Sequence, residues 1–188
     1  MIILSILLLL AVTRIVVCLI RNWRNVFHIF EGLFCFDTRL PRHGVLQALT
    51  RFTWELPTTI VGCLVAQFFN IICPNCRVDH FGGITYLTLQ NSHRYMGVSL
   101  GSYIVIFLPG KVAEPFDDSV LADRVYIFQH EYGHTFDSQR FGWFYLPVVG
   151  LSSLISVLRS CANHSDFWTE RRADRFAAAY FGRLKNNS

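Results

Sequence analysis

The sequence predicts an α+β protein that is mainly helical, with a small antiparallel sheet and membrane-associated helices at its start. Three observations carry that expectation. The 188-residue chain is 52% hydrophobic and only 16% charged, with a mean hydropathy of +0.35, whereas a soluble domain averages about 25% charged residues. Two long apolar runs lie before residue 74. One stretch, 77–108, has the composition of β-strands, and most of the chain after residue 118 reads as helix.

Residues 1–20, "MIILSILLLLAVTRIVVCLI", are apolar except for Ser5, Thr13 and Arg14. About 20 such residues span a bilayer. A cleaved signal peptide would start with a basic region and end in a small-residue cleavage site. Here the apolar run begins at Ile2 and no A-x-A follows, so the expectation is a retained membrane helix. Arg14 must then snorkel or face protein. Residues 21–55 carry Arg21, Arg24, Arg39, Arg42 and Arg51, an excess that favours the cytoplasmic side. Within them "VFHIFEGLFCF" has no clean period and suits an interfacial position. Leu56–Cys73 is uncharged and long enough for a spanning or deeply embedded helix, with Pro57 in a first-turn position that tolerates it.

Residues 77–108 change character. "ITYLTL" and "GVSLGSYIVIF" are rich in β-branched and aromatic residues, separated by the turn "NSHR". Two or three short antiparallel strands are expected, with Gly97 and Gly101 marking a bulge or a close backbone approach. A helix comes next, from about Val120 to Phe141, capped by Asp118 or Ser119 and closed by Arg140 and Gly142. Residues 141–158 form a third uncharged run. A last helix starts near Ser165 or Asp166 and ends before Gly182. This divides the chain into N-terminal membrane-associated helices over 1–76 and a second unit over 77–188.

Scattered basic residues and no basic stripe argue against nucleic acid as a partner. Six cysteines at this size and spacing do not form a small disulfide framework. "CPNC" (73–76) has no second C-x-x-C to complete a four-ligand cage and no βαβ pattern around it for a redox pair, and Cys18, Cys63 and Cys73, in or beside apolar runs, read as buried free thiols.

The chemistry lies in "QHEYGHTF" (129–136). His130-Glu131-Tyr132-Gly133-His134 fits H-E-x-x-H. On a helix, positions i and i+4 share one face, so two imidazoles can hold one Zn²⁺ ion. Glu131 lies about 100° around the helix and can take a proton from zinc-activated water without being a ligand. The bland alternative is a pair of solvated histidines with a surface glutamate. The apolar flanks "VYIFQ" and "TF" weigh against it, because buried histidines need partners. Gly133, costly inside a helix by about 1 kcal/mol relative to Ala, implies close approach of another backbone or of the site.

A catalytic zinc usually has three protein ligands and an open position. "FWTERRADRFAAAYFG" (167–182) offers Glu170 and Asp174 on one face. Glu170 is assigned as the third ligand and Asp174 as the carboxylate behind a ligating histidine. Alone, the two would read as a solvated acidic pair among Arg171, Arg172 and Arg175. His164 is an alternative ligand or transition-state donor, and Arg175 and Tyr180 are further candidate donors.

"HEYGHT" followed by "TERRADRFA", with Glu170 36 residues after His134, resembles the gluzincin metallopeptidases. The resemblance is nearest to the membrane-embedded branch of the CAAX prenyl proteases and the heat-shock membrane protease. "GVSLGSY" and "HEYGHT" also resemble small bacterial membrane-associated H-E-x-x-H proteins. It covers roughly residues 97–182. It implies a zincin-like core in which His130, His134 and Glu170 bind one zinc ion, Glu131 is the base and Asp174 supports. It also implies an edge strand beside the metal, able to pair with an extended substrate; "GVSLGSYIVIF" is the candidate, and reads equally well as an ordinary core strand.

The chain has one apolar run between its two motifs, where the large members have two spanning helices. If 141–158 crossed the bilayer, His134 and Glu170 would sit on opposite sides. That segment is therefore expected to be non-crossing: re-entrant, interfacial or buried, with Pro147 and Gly150 breaking it. The expected protein is an integral membrane zinc metalloendopeptidase, in the inner or plasma membrane if bacterial, acting on a peptide or protein substrate. The alternatives are an inactive zinc-stabilised membrane scaffold and a zinc hydrolase of another amide or ester.

Overall fold

The computed structural model describes residues 2–92, 95–109, 118–152 and 168–186. Five helices are described: α1 (Ile2–Glu31), α2 (Pro41–Phe52), α3 (Leu56–Ile72), α4 (Asp118–Phe141) and α5 (Trp168–Asn186). Four strands lie between α3 and α4: β1 (Cys76–Phe81), β2 (Ile84–Ser92), β3 (Met96–Leu100) and β4 (Tyr103–Pro109). After α4 come a 3₁₀ turn, Gly142–Phe144, and a π-helical turn, Leu146–Gly150.

The sheet order is β1-β2-β4-β3. It is mixed, not antiparallel as expected: β1 pairs antiparallel with β2 and β3 with β4, but β2 and β4 run parallel. The chain leaves β2, returns along the outer edge as β3, and inserts β4 between them. Both hairpins use two-residue turns. Gly82 and Gly83 adopt φ of +54° and +76°, and Gly101 +61°, which only glycine adopts without strain.

Side chains alternate across the central strands. Leu87, Leu89, Tyr103 and Val105 face a cluster with Ile29 of α1 and Cys63 and Ala66 of α3. Ile84, Ile104, Ile106 and Leu108 face the opposite cluster, with Tyr132 of α4 and Tyr180 of α5. The sheet is thus covered by helices on both faces.

α1 breaks at Asn22 (φ −106°, ψ 15°). The Asn22 amide donates to the carbonyls of Asn70 (2.9 Å) and Cys73 (2.8 Å), and Asn25 donates to Cys76 (2.8 Å). These bonds tie α1 to the end of α3. By length and composition, α1 can cross a membrane: an 18-residue window within Leu4–Glu31 reaches a mean hydropathy of 2.4 and is almost wholly exposed, a test that a signal sequence also passes. α2 and α3 pass the same test only as a pair bent by 87°.

α2 is inside out. Gln47 and Arg51 point inward, while Val45, Leu46, Leu49 and Phe52 are exposed. Arg51 is buried because its guanidinium serves carbonyls at the end of α1 and in the β1–β2 turn: Leu33 (2.9 Å), Cys35 and Gly83 (2.5 Å). It also meets the Ser102 hydroxyl at 2.8 Å.

Two helix bounds differ from expectation. α4 begins at Asp118, two residues ahead of the expected Val120. α5 continues past Gly182 to Asn186. Gly182 meets nothing within 4 Å, and Leu184 beyond it packs on the Tyr132 cluster, so packing outweighs the glycine's low propensity. The expected start of α5 at 165–166, and residues 153–158 of the third apolar run, lie outside the described residues. Among the described residues, Cys18, Cys35, Cys63, Cys73 and Cys76 are free thiols.

Candidate metal centre

α4 and α5 cross closely because Gly133 faces the main chain of Ala173. A Cβ at 133 would collide with the Ala173 carbonyl. That contact brings the H-E-x-x-H face of α4 onto the first turn of α5. His130 Nε2 lies 3.0 Å and His134 Nε2 3.3 Å from the same oxygen, Glu170 Oε2. The two imidazole rings are 5.0 Å apart and nearly perpendicular. One ligand atom from each of the three residues lies within 4.8 Å of the others. Bonds of about 2.0–2.1 Å to a tetrahedral zinc put ligand atoms roughly 3.3 Å apart, so the donor set fits that ion. Three protein donors would leave a fourth position open.

Each donor is held from behind. Asp174 Oδ1 lies 2.7 Å from His130 Nδ1. Asp137 Oδ2 lies 3.6 Å from His134 Nδ1, within ion-pair but outside hydrogen-bond reach. Arg172 Nε donates to Asp137 Oδ1 at 2.7 Å and fixes that carboxylate. The Thr169 hydroxyl donates to Glu170 Oε1 at 3.0 Å, which leaves Oε2 to the histidines. Burial disfavours the charged form of both imidazoles. For His130, hydrogen bonds to Glu170 and Asp174 outweigh burial and raise the pKa. For His134, Asp137 and Glu170 do so more strongly and lift it to about 10. A cation bound here must displace those protons.

Glu131 is buried, one step around α4. The Ser99 hydroxyl of β3 donates to it, with Oε2 at 2.6 Å and the main-chain oxygen at 2.7 Å. Gly97, two residues earlier on the same strand, lies against the Glu131 carboxylate, where no Cβ fits. The glycine therefore marks a close approach rather than a bulge. Tyr145 is buried and donates to the Ser99 carbonyl at 3.0 Å. Burial, then the charges of Glu131, Asp137, Glu170 and Glu55, hold its phenol protonated far above the ordinary value.

The structure thus brings together His130, His134, Glu170, Glu131 and Asp174. Two other candidates stand elsewhere. Tyr180 donates to Asp37 Oδ2 at 2.8 Å and packs on Tyr132, so its hydroxyl is committed to the core. Arg175 is exposed and bonds its own helix at the Arg171 carbonyl. His164 lies outside the described residues. Sequence reasoning misses Asp137, Thr169, Ser99 and Tyr145. Asp137 is readable in principle, because it stands three residues after His134 on one helix. Ser99 and Tyr145 reach the site only through tertiary packing. Comparison of the chain with protein-family models, with curated proteins and with solved structures finds no match.

Proposed function

We propose that the chain is a membrane-seated zinc metallopeptidase. The observation that carries this reading is the convergence of two imidazoles and one carboxylate oxygen from two helices, with Glu131 beside them but outside the ligand set. This is also the ligand set implied by the resemblance to gluzincin peptidases. Zinc held there would supply a Lewis acid for a carbonyl oxygen and acidify a water molecule. Glu131, aligned by Ser99, takes the proton of the attacking water and returns it to the departing amine. β3 is the outermost strand on that side of the sheet. Its outer main-chain edge is placed for an extended peptide to pair with, and Met96 and Val98 beside it are exposed.

The membrane part of the reading rests on two features. The first half of α1 exposes Leu7–Leu10, Val16 and Val17. α2 turns an apolar face outward, and Phe52 continues it to Phe34 at 6.0 Å. Trp54 extends it to Trp143 and Phe144 at 6.5 and 6.2 Å. Large apolar patches of this kind mark contact surfaces, and lipid satisfies one on a chain that also carries a span-length helix.

The test uses the full chain purified in detergent. Wild type should retain zinc and cleave peptides. Glu131→Gln should keep the zinc and lose cleavage by at least about 10²-fold. His130→Ala and Glu170→Ala should lose the metal from this centre. Zinc retained without cleavage of any peptide in a library would instead favour the inactive scaffold, and cleavage of lipid amides alone the non-peptide hydrolase.

A further inference from the structure

We propose a second divalent-metal site on this chain, formed by His28 and Glu31 of α1 and His80 of β1. It shares no residue with the His130–His134–Glu170 centre and does not depend on the activity proposed there.

His28 and Glu31 stand at i and i+3 in the last turn of α1 and therefore share a face. His28 Nδ1 lies 3.1 Å from Glu31 Oε2. β1 brings His80 to the same place, its ring centroid 6.4 Å from that of His28. One ligand atom from each of the three lies within 4.8 Å of the other two. The spacing around a tetrahedral zinc is roughly 3.3 Å. Exposed side chains reach it by a small rotamer adjustment.

Three further features fit a cation here. His80 is paired in register with Thr85 of β2, a fully buried residue whose hydroxyl stands 3.0 Å from His80 Nδ1. That bond orients the ring and leaves Nε2 available, the support that ligating histidines usually have. The site also lies at the C-terminal end of α1, where the helix dipole favours positive charge. Finally, all three side chains are exposed, so water can reach an ion held between them as a fourth ligand. Two imidazoles and one carboxylate suit zinc or a neighbouring transition metal rather than calcium or magnesium. The bound ion would staple the end of α1 to the edge of the sheet. The ordinary alternative is a solvated histidine–glutamate pair beside a strand histidine.

The experiment counts zinc on the full chain in detergent after stripping with a chelator and retitrating with Zn²⁺ alone. Wild type should take up two ions. His80→Ala and His134→Ala should each take up one, and the double variant none. His28→Ala, on a different element, should also lose the outer ion and guards against a folding defect specific to His80→Ala, checked by far-UV circular dichroism. The proposal is overturned if His80→Ala and His28→Ala bind as much zinc as wild type, or if only one of them loses an ion. Uptake by His134→Ala equal to wild type would sink the inner centre while leaving the outer one to be judged on the His80→Ala and His28→Ala counts.

Discussion

Gly97 and Glu131 touch face to face: the bare Cα of the edge strand lies against the carboxylate of the α4 glutamate, and no larger residue fits between them. Ser99 then holds Oε2 at 2.6 Å. The strand that would receive substrate is therefore also the clamp on the proposed base. Gly97→Ala should displace Glu131 and lower peptide hydrolysis by about 10²-fold with zinc content unchanged. Ser99→Ala should have a smaller effect of the same kind. Steady-state kinetics beside metal analysis checks both; loss of zinc in either variant would contradict the argument.

The carboxylates behind the histidines should tune metal affinity rather than turnover of the loaded protein. Asp174→Asn and Asp137→Asn are each expected to weaken zinc binding by about 10–100-fold. Competition with a chromophoric chelator measures this. Asp137→Asn should also loosen α5, since it removes the ion pair to Arg172.

Glu55 gives a pH dependence. It is fully buried, and neither carboxylate oxygen has a well-aligned hydrogen-bond donor. Burial raises its pKa to about 7, with Ser138, Arg51 and Thr50 offsetting only part. A carboxyl raised above its unfolded value favours the folded state while protonated. Its contribution is full below about pH 4 and is lost as pH rises through about 7, a difference on the order of 3 kcal/mol. The thermal unfolding midpoint in detergent should fall between about pH 4.5 and 7 for wild type. Glu55→Gln should flatten that part of the profile.

Tyr180→Phe separates a core hydroxyl from a catalytic one. The hydroxyl bonds Asp37, which also receives His43 at 3.1 Å. Its loss should cost roughly 1–3 kcal/mol of stability and leave zinc content and kcat near wild type. A kcat collapse without destabilisation would restore Tyr180 to the site.

The legible part of this protein is local. H-E-x-x-H, Glu170 and Asp174 can be read because helical spacing fixes which side chains share a face. Gly133 is readable as a close approach, though not as the seat of Ala173. Less legible is anything decided by distant pairing. β1 hides behind Arg77, Asp79 and His80, since an edge strand tolerates charge, and the Gly82-Gly83 turn is its main signal. Insertion of β4 between β2 and β3 depends on packing under α3. α2 is hard to read because its pattern is reversed, with Arg51 inside and Leu49 outside, whereas the usual pattern rule puts the apolar residues inside.

The break at Asn22 has a mechanical consequence. Both buried clusters draw their members from residues after it, the first being Ile29. Apart from the buried Cys18, the greasy front of α1 is thus a mast stepped into the hull at an amide-gripped joint. Severing the chain just ahead of that joint should shed the mast and leave the sheet, its covering helices and both candidate metal pockets standing.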